Sequence, residues 1–224
     1  MSQGAPDRPL TTGRHLDHVA WLYDPVIERL SFGREAAFRR LTMEHLAPRP
    51  GERILDVGCG TGTLTLHIAD AVGAAGAVTG IDAAPRMIAI ACDKARHQGS
   101  PARFVAVAAE NPGMADGAFD AVVSSMFTHH VDHELKQRVF AQMYRLLRPG
   151  GRLVTADIDR PSTAWAWTLG WASRWLLLQP ELEDNLRGLL PQLLVAAGFI
   201  DTRRVAHVHG MISLFVSHKP LGAA

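Results

Sequence analysis

The stretch Ile54-Leu55-Asp56-Val57-Gly58-Cys59-Gly60-Thr61-Gly62 decides the fold: a short apolar run ends in glycines at every second position. Glycine is required where backbone must approach a ligand closely or adopt positive φ, because a Cβ would collide or strain the chain. From Thr63 to Val72, the apolar residues Leu64, Leu66, Ile68, Ala69 and Val72 lie on roughly one face of a helix that starts at the last glycine. Ordinary turns also use glycine, so the next strand has to discriminate. Ala77-Val78-Thr79-Gly80-Ile81 ends at Asp82. That is about 20 residues past the glycines, where a βαβ nucleotide unit places a carboxylate that accepts both ribose hydroxyls.

A dinucleotide site calls for G-x-G-x-x-G, with the pyrophosphate on a helix N-terminus. This chain has Gly58-x-Gly60-x-Gly62 preceded by Asp56. A carboxylate inside the loop repels a diphosphate and suits a cationic ligand. No G-K-[ST] follows the loop, so the P-loop reading is excluded as well.

Ile54 to Gly62 resembles motif I of the class I S-adenosylmethionine (SAM) dependent methyltransferases, and further segments agree in order and spacing. Gly80 to Ile88 resembles the family's second strand and the helix after it; Asp116 to Ser125, then Thr128-His129-His130-Val131, its fourth strand; Arg145 to Leu153 the turn into its fifth; and Leu194 to Phe199 a late helix end. The resemblance covers roughly residues 50–200, is nearest to the quinone-biosynthesis C-methyltransferases and bacterial phospholipid N-methyltransferases (methyltransferase type 11-like), and names no substrate.

At 224 residues the chain suits one α/β domain, read as residues 15–224 behind a flexible tail at 1–14. A net charge of +1 provides no global field to draw nucleic acid, and no basic run with interleaved aromatics supports such a partner. Two cysteines, Cys59 and Cys92, make no disulfide framework, and the polar N-terminus lacks a signal peptide's apolar core, so a cytoplasmic location is expected. Oligomeric state is not legible.

Two N-terminal helices are expected over 15–48, at 15–30 and 33–46. Strand and helix then alternate: strand 53–57, helix 62–72, strand 77–81, helix 85–97, strand 103–107, strand 119–124, helix 133–147, strand 151–157. Such alternation implies a parallel sheet covered by helices on both faces. A Trp-rich cap insertion is expected at 158–182, then one helix from about 182 to 197, and strands 201–208 and 211–218 joined tightly at Gly210. With the resemblance, this gives a Rossmann-like seven-stranded mixed sheet whose last strand is antiparallel.

The resemblance implies SAM as cofactor, with Gly58, Cys59, Gly60 and Gly62 around its methionine part, Asp82 on its ribose, and Ala83 and Met87 following. Asp56 either meets the aminoacyl group through water or fixes the turn. Relatives often carry Asp at the adenine position aligned with Ala108; here Ala109 and Glu110 follow, and Glu110 is the candidate replacement. Ser124 ends the fourth strand at the sheet's carboxyl edge, where ligands of such folds collect. Tyr23, in Tyr23-Asp24, resembles the aromatic-acid pair that closes over the donor in quinone-biosynthetic methyltransferases.

Methyl transfer from a sulfonium is an in-line displacement that needs reach and dryness more than a base. His129 and His130 are the candidate bases, against packing or loop capping. Adjacent histidines make poor joint metal ligands, and no metal site is expected. His207 and His209 share a strand face and suit a surface or sheet-edge role. Trp165, Trp167, Trp171 and Trp175 suggest a small lipophilic or aromatic acceptor, or peripheral contact with a membrane surface where it resides. A rival from another class binds SAM without using its methyl group, as a cyclase, isomerase or regulatory subunit.

Overall fold

A computed structural model describes residue 11 and residues 34–176 and 179–222. The expected helix at 15–30, Tyr23 and most of the tail lie outside the described residues.

Helix α1 (Arg34–Leu46) precedes strand β1 (Arg53–Val57), α2 (Thr63–Val72), β2 (Ala77–Asp82), α3 (Pro85–Gln98), β3 (Arg103–Ala106) and β4 (Phe119–Ser125). A 3-10 turn (Thr128–His130) leads to α4 (His133–Leu146) and β5 (Leu147–Ile158). Then come α5 (Ala164–Leu176), a second 3-10 turn (Pro180–Leu182), α6 (Glu183–Arg187), α7 (Leu190–Ala196), β6 (Ile200–Val208) and β7 (Ile212–His218). The seven strands form one sheet in the order β3-β2-β1-β4-β5-β7-β6, parallel except for β7, which runs antiparallel to both neighbours.

Strand periodicity sends alternate residues to opposite faces. On one face Leu55, Val57, Val122 and Leu153 meet Leu135, Val139, Phe140 and Met143 of α4 and Leu190, Leu193 and Leu194 of α7. On the other, Ile54, Val78, Ala121, Val123 and Val154 meet Leu46 of α1 and Leu64, Ile68 and Val72 of α2. Because the chain builds outward from β1 through β2 to β3 and then returns to β4, the crevice at the carboxyl ends of β1 and β4 is the sheet's switch point.

Two expectations need correction. The leucine period over 182–197 predicts one helix, but the chain breaks at Gly188, which takes φ +74 and caps α6; Pro191 then opens α7. Helix geometry cannot pass through a left-handed residue, and proline is at home in a first turn. The fifth strand also begins earlier than 151: Leu147 pairs with Phe119, a register shift follows, and regular pairing runs from Arg152. Between β6 and β7, His209 (φ +53) and Gly210 (φ +69) form the mirror-image turn that hairpin twist favours, closed by Met211 N donating to Val208 O at 3.2 Å.

The Trp-rich segment is the helix α5, capped by Thr163, whose hydroxyl accepts from Ala166 N at 3.1 Å. Its buried residues are Ala166 and Gly170; a Cβ on Gly170 would lie 2.7 Å from Leu186 Cδ2. With the small residues turned inward, Trp165 (72% exposed), Trp167 and Trp175 face outward, and Trp171 tilts against Trp167 at 6.2 Å between centroids. No helix among the described residues is long and apolar enough to cross a membrane.

Candidate active site

The glycine loop is built by positive φ at Gly58 (+74), Gly60 (+53) and Gly62 (+78). The amides of Gly58 and Cys59 donate to Ile81 O at 2.9 and 3.0 Å, which folds the loop back over the end of β2. Packing then explains two of the glycines: a Cβ on Gly62 would lie 2.6 Å from Phe104 Cε1, and one on Gly58 would lie 2.4 Å from Phe127 Cγ. Gly60 differs, because nothing stands within 4 Å of a Cβ there. That glycine faces open space.

Asp82 is the hub on the β2 side. Its Oδ2 accepts from Gly60 N at 2.9 Å and its Oδ1 from Ala84 N at 2.8 Å, so it braces the loop while lying at its rim. Lys94 of α3 donates to Thr61 Oγ1 and Thr63 Oγ1 at 3.0 and 2.9 Å, a clamp on the first turn of α2 with no short-range sequence signature. Met87 is buried with Ala84, and half-buried Ile90 packs against them, beside Ala83. Ala108 and Ala109 are buried past β3, and Glu110 accepts from Thr11 Oγ1 at 2.7 Å.

Asp56 is buried beneath the loop and accepts from Thr65 Oγ1 at 2.6 Å. Burial, with the negative charge of Asp82 and against the Thr65 hydrogen bond, pushes its carboxyl up to about 7. Burial and the charges of Asp56 and Asp82 also raise the Cys59 thiol, which keeps it protonated. Cys59 packs where a side chain on Gly80 would stand, 2.9 Å from its Cβ position.

At the ends of β4 and β5, Asp157 gathers the second half of the site. This buried carboxylate accepts from Phe127 N (3.0 Å), Thr128 N (2.5 Å), Thr128 Oγ1 (2.7 Å) and Ile158 N (2.7 Å), and its Oδ1 lies 2.5 Å from His129 Nδ1. Burial opposes its ionisation, but the charge and hydrogen bond of His129 and the hydrogen bonds of Thr128 and Ile158 hold it at about 2. The His130 ring lies 3.9 Å from that of His129, centroid to centroid. Buried Asn185 of α6 donates to Ile158 O at 2.8 Å and reaches Thr128 Oγ1 at 3.3 Å, which ties the cap to the turn. Just before it, Met126 takes φ +53, a left-handed backbone that is costly outside glycine.

Ser124 and Thr155 are neighbours across β4 and β5, and their buried hydroxyls have no hydrogen-bond partner among the described residues. Ser124 thus sits beneath the edge with unused capacity. His207 lies on the edge strand β6, and its ring bridges Ser213 Oγ (2.8 Å) and Ser162 Oγ (2.9 Å), which joins β6 to the entry of α5. Asp157, Thr128, Asn185 and Lys94 are not among the residues expected from sequence. For Asp157 the signal was an acid ending the apolar run Leu153-Val154-Thr155-Ala156.

These residues fit SAM. The open face at Gly60 and the carboxylates of Asp82 and Asp56 lie together around the glycine loop. The family described as a methyltransferase domain matches residues 54–151. An uncharacterised methyltransferase of Synechocystis sp. is 32% identical over 149 residues, 66% of this chain and 67% of that protein. The demethylmenaquinone methyltransferase of Thermus thermophilus is 38% identical over 144 residues, 64% of each chain. A 2-phytyl-1,4-naphtoquinone methyltransferase of Synechococcus elongatus is 33% identical over 150 residues, 65% of this chain and 62% of that protein. The matched stretch therefore spans less than two thirds of the length of the two quinone methyltransferases.

Among solved structures, a SAM-dependent methyltransferase from Aquifex aeolicus superposes with a TM-score of 0.70 at 18% identity, covering 92% of this chain and 99% of that one. A cyclase of the 4+2 type superposes with a TM-score of 0.63 at 25% identity, covering 83% and 82%. Glycine loop, strand order and relatives converge, and the chain belongs to the SAM-dependent methyltransferase family.

Proposed function

We propose that the protein transfers the methyl group of SAM to a small lipophilic acceptor of the quinol class by in-line displacement. The observation that carries this reading is the sequence match to two methyltransferases named for quinones, at 38% and 33% identity, across the stretch that forms the donor site. SAM supplies an activated methyl on a sulfonium that departs as a neutral sulfide. Asp82 holds the ribose, the open backbone at Gly60 receives the methionine part, and Asp56 balances its positive charge. The buried apolar edge beside Met87, Ala108 and Ala109 accepts the adenine, with backbone groups in place of the acid that relatives carry at Ala108. The outward tryptophans of α5 support a lipid surface as the place where such an acceptor is met.

Incubation of the protein with methyl-labelled SAM and reduced short-chain naphthoquinones tests the reading. Labelled quinol and S-adenosylhomocysteine should form in equal amounts. A second reading, supported by the likeness to a cyclase, keeps SAM bound and its methyl unused. Tight SAM binding with acceptor turnover but no labelled product would favour that reading, and no SAM binding would sink both.

The donor half has its own test. Replacing Asp82 with alanine removes a charged hydrogen-bond acceptor and the brace on Gly60, so affinity for S-adenosylhomocysteine should fall about 10- to 150-fold, the equivalent of roughly 1.5 to 3 kcal/mol. Calorimetric titration measures it; an unchanged affinity refutes the assignment.

A further inference from the structure

We propose that His129 and Asp157 form a catalytic dyad: His129 Nε2 removes the proton that the acceptor must lose, and Asp157 fixes the ring for that task. The inference rests on the methyl-transfer reading above and assigns to it a proton acceptor and a positioning residue.

Geometry carries the argument. A carboxylate that only capped the 3-10 turn would be satisfied by Phe127 N, Thr128 N and Thr128 Oγ1, all of which it already holds. Its other oxygen lies 2.5 Å from His129 Nδ1. An anionic acceptor at that distance places the imidazole proton on Nδ1, which leaves Nε2 with its lone pair. Among the described residues Nε2 has no hydrogen-bond partner, and it is not one of the buried orphaned atoms. The ring keeps 12% of its surface exposed while Asp157 beneath it keeps 1%. The dyad thus has a buried, ionised end and an open, basic end.

Its location matches the donor site. Phe127, two residues before His129, rests against Gly58 of the glycine loop, so the turn that carries the histidine is packed directly on the loop that holds the methionine part. Both lie at the switch-point crevice. Asn185 and Asp157 hold the turn from α6 and β5, so the histidine sits on a braced element.

The proton balance gives the base its role. The S–CH3 bond breaks with its electron pair staying on sulfur, and a bond forms between that carbon and the acceptor. The acceptor loses one proton, from a ring hydroxyl as it becomes nucleophilic or from the methylated ring carbon afterwards. His129 Nε2 takes that proton, Asp157 stabilises the resulting imidazolium, and the exposed edge of the ring returns the proton to solvent.

The test uses the full chain with reduced short-chain naphthoquinone as probe. His129→Ala should lower kcat about 100- to 10,000-fold with the SAM dissociation constant changed less than about threefold, and added imidazole should restore part of the rate. Asp157→Asn should lower kcat about 100-fold or more. Independently of turnover, histidine-labelled NMR of the donor-free protein should show His129 protonated at Nδ1 only, a signature that Asp157→Asn removes. His129→Gln, which preserves bulk, covers the case in which the alanine variant fails to fold, and it too should lose kcat with SAM binding kept. Full activity in either His129 variant, a loss that imidazole leaves unrelieved, or an Nε2-protonated ring overturns the dyad. A wild-type protein that binds SAM but methylates nothing instead overturns the functional reading beneath it.

Discussion

Replacing Asp56 with asparagine is expected to stabilise the donor-free protein by about 4 kcal/mol at pH 8 and by less than about 1 kcal/mol at pH 4. Burial lifts the Asp56 carboxyl from 3.8 to about 7, with the Asp82 charge adding to it. In the unfolded chain the same carboxyl ionises near its ordinary value. A raised carboxylate pKa therefore costs nothing below pH 3.8, costs progressively more as pH climbs towards 7, and is constant above that. The rise from 3.8 to about 7, at about 1.4 kcal/mol for each pH unit, sets the plateau. Asparagine keeps an oxygen for Thr65 Oγ1 and has nothing to ionise. Urea unfolding of both proteins at the two pH values measures the gap, since every other titrating group is shared. An equal gap at both, or a variant less stable at pH 8, would show that burial does not raise the Asp56 carboxyl. If the SAM cation lies beside Asp56 as proposed, it favours the charged carboxylate, so wild-type affinity for SAM should rise as pH climbs towards about 7 and the asparagine variant should show a flatter profile.

Why a fold destroys stability at this position bears on how it could be read. Asp56 stands out in sequence because a carboxylate between Leu55 and Val57 breaks a buried strand, and the same logic singles out Asp82 at the end of the next one. Local rules of this kind sufficed for the glycine turn, the helix faces and the strands apart from the start of the fifth, since each depends on residues within a few positions. The histidine dyad was not legible, because His129 and Asp157 are 28 residues apart and meet only when β4 and β5 pair. The break at Gly188 could have been read from Gly188 and Pro191, but a leucine at nearly every expected helical position outweighed them. Which way the tryptophans of α5 face was likewise not legible from the residues alone. Large aromatics suggest an inward anchor, yet the helix packs through Ala166 and Gly170 because Leu186 leaves room for nothing larger.

The coupling of the glycine loop to the dyad predicts a contrast between two substitutions that look equivalent in sequence. Gly58→Ala is expected to cost about 3 to 4 kcal/mol and Gly60→Ala about 1 to 2 kcal/mol, although both glycines have left-handed φ. The shared part is the backbone penalty. The excess at Gly58 arises because its new methyl would lie 2.4 Å from Phe127 Cγ and 2.6 Å from its Cβ. Turning the Phe127 ring does not relieve the clash, because its Cβ is also struck and moves only with the backbone, whose amide is bound to Asp157 at 3.0 Å. Displacing it drags on the carboxylate that orients His129, so Gly58→Ala should lower kcat beyond what the folded fraction explains and blur the Nδ1-protonated signature of His129. Gly60→Ala has no protein atom to strike and, on the proposed placement of the donor, should instead weaken SAM binding. Urea midpoints, SAM titration and turnover on the two variants separate these outcomes. Equal stability losses would mean that Phe127 yields freely to a methyl group, and the packing link between the donor loop and the dyad would then be lost.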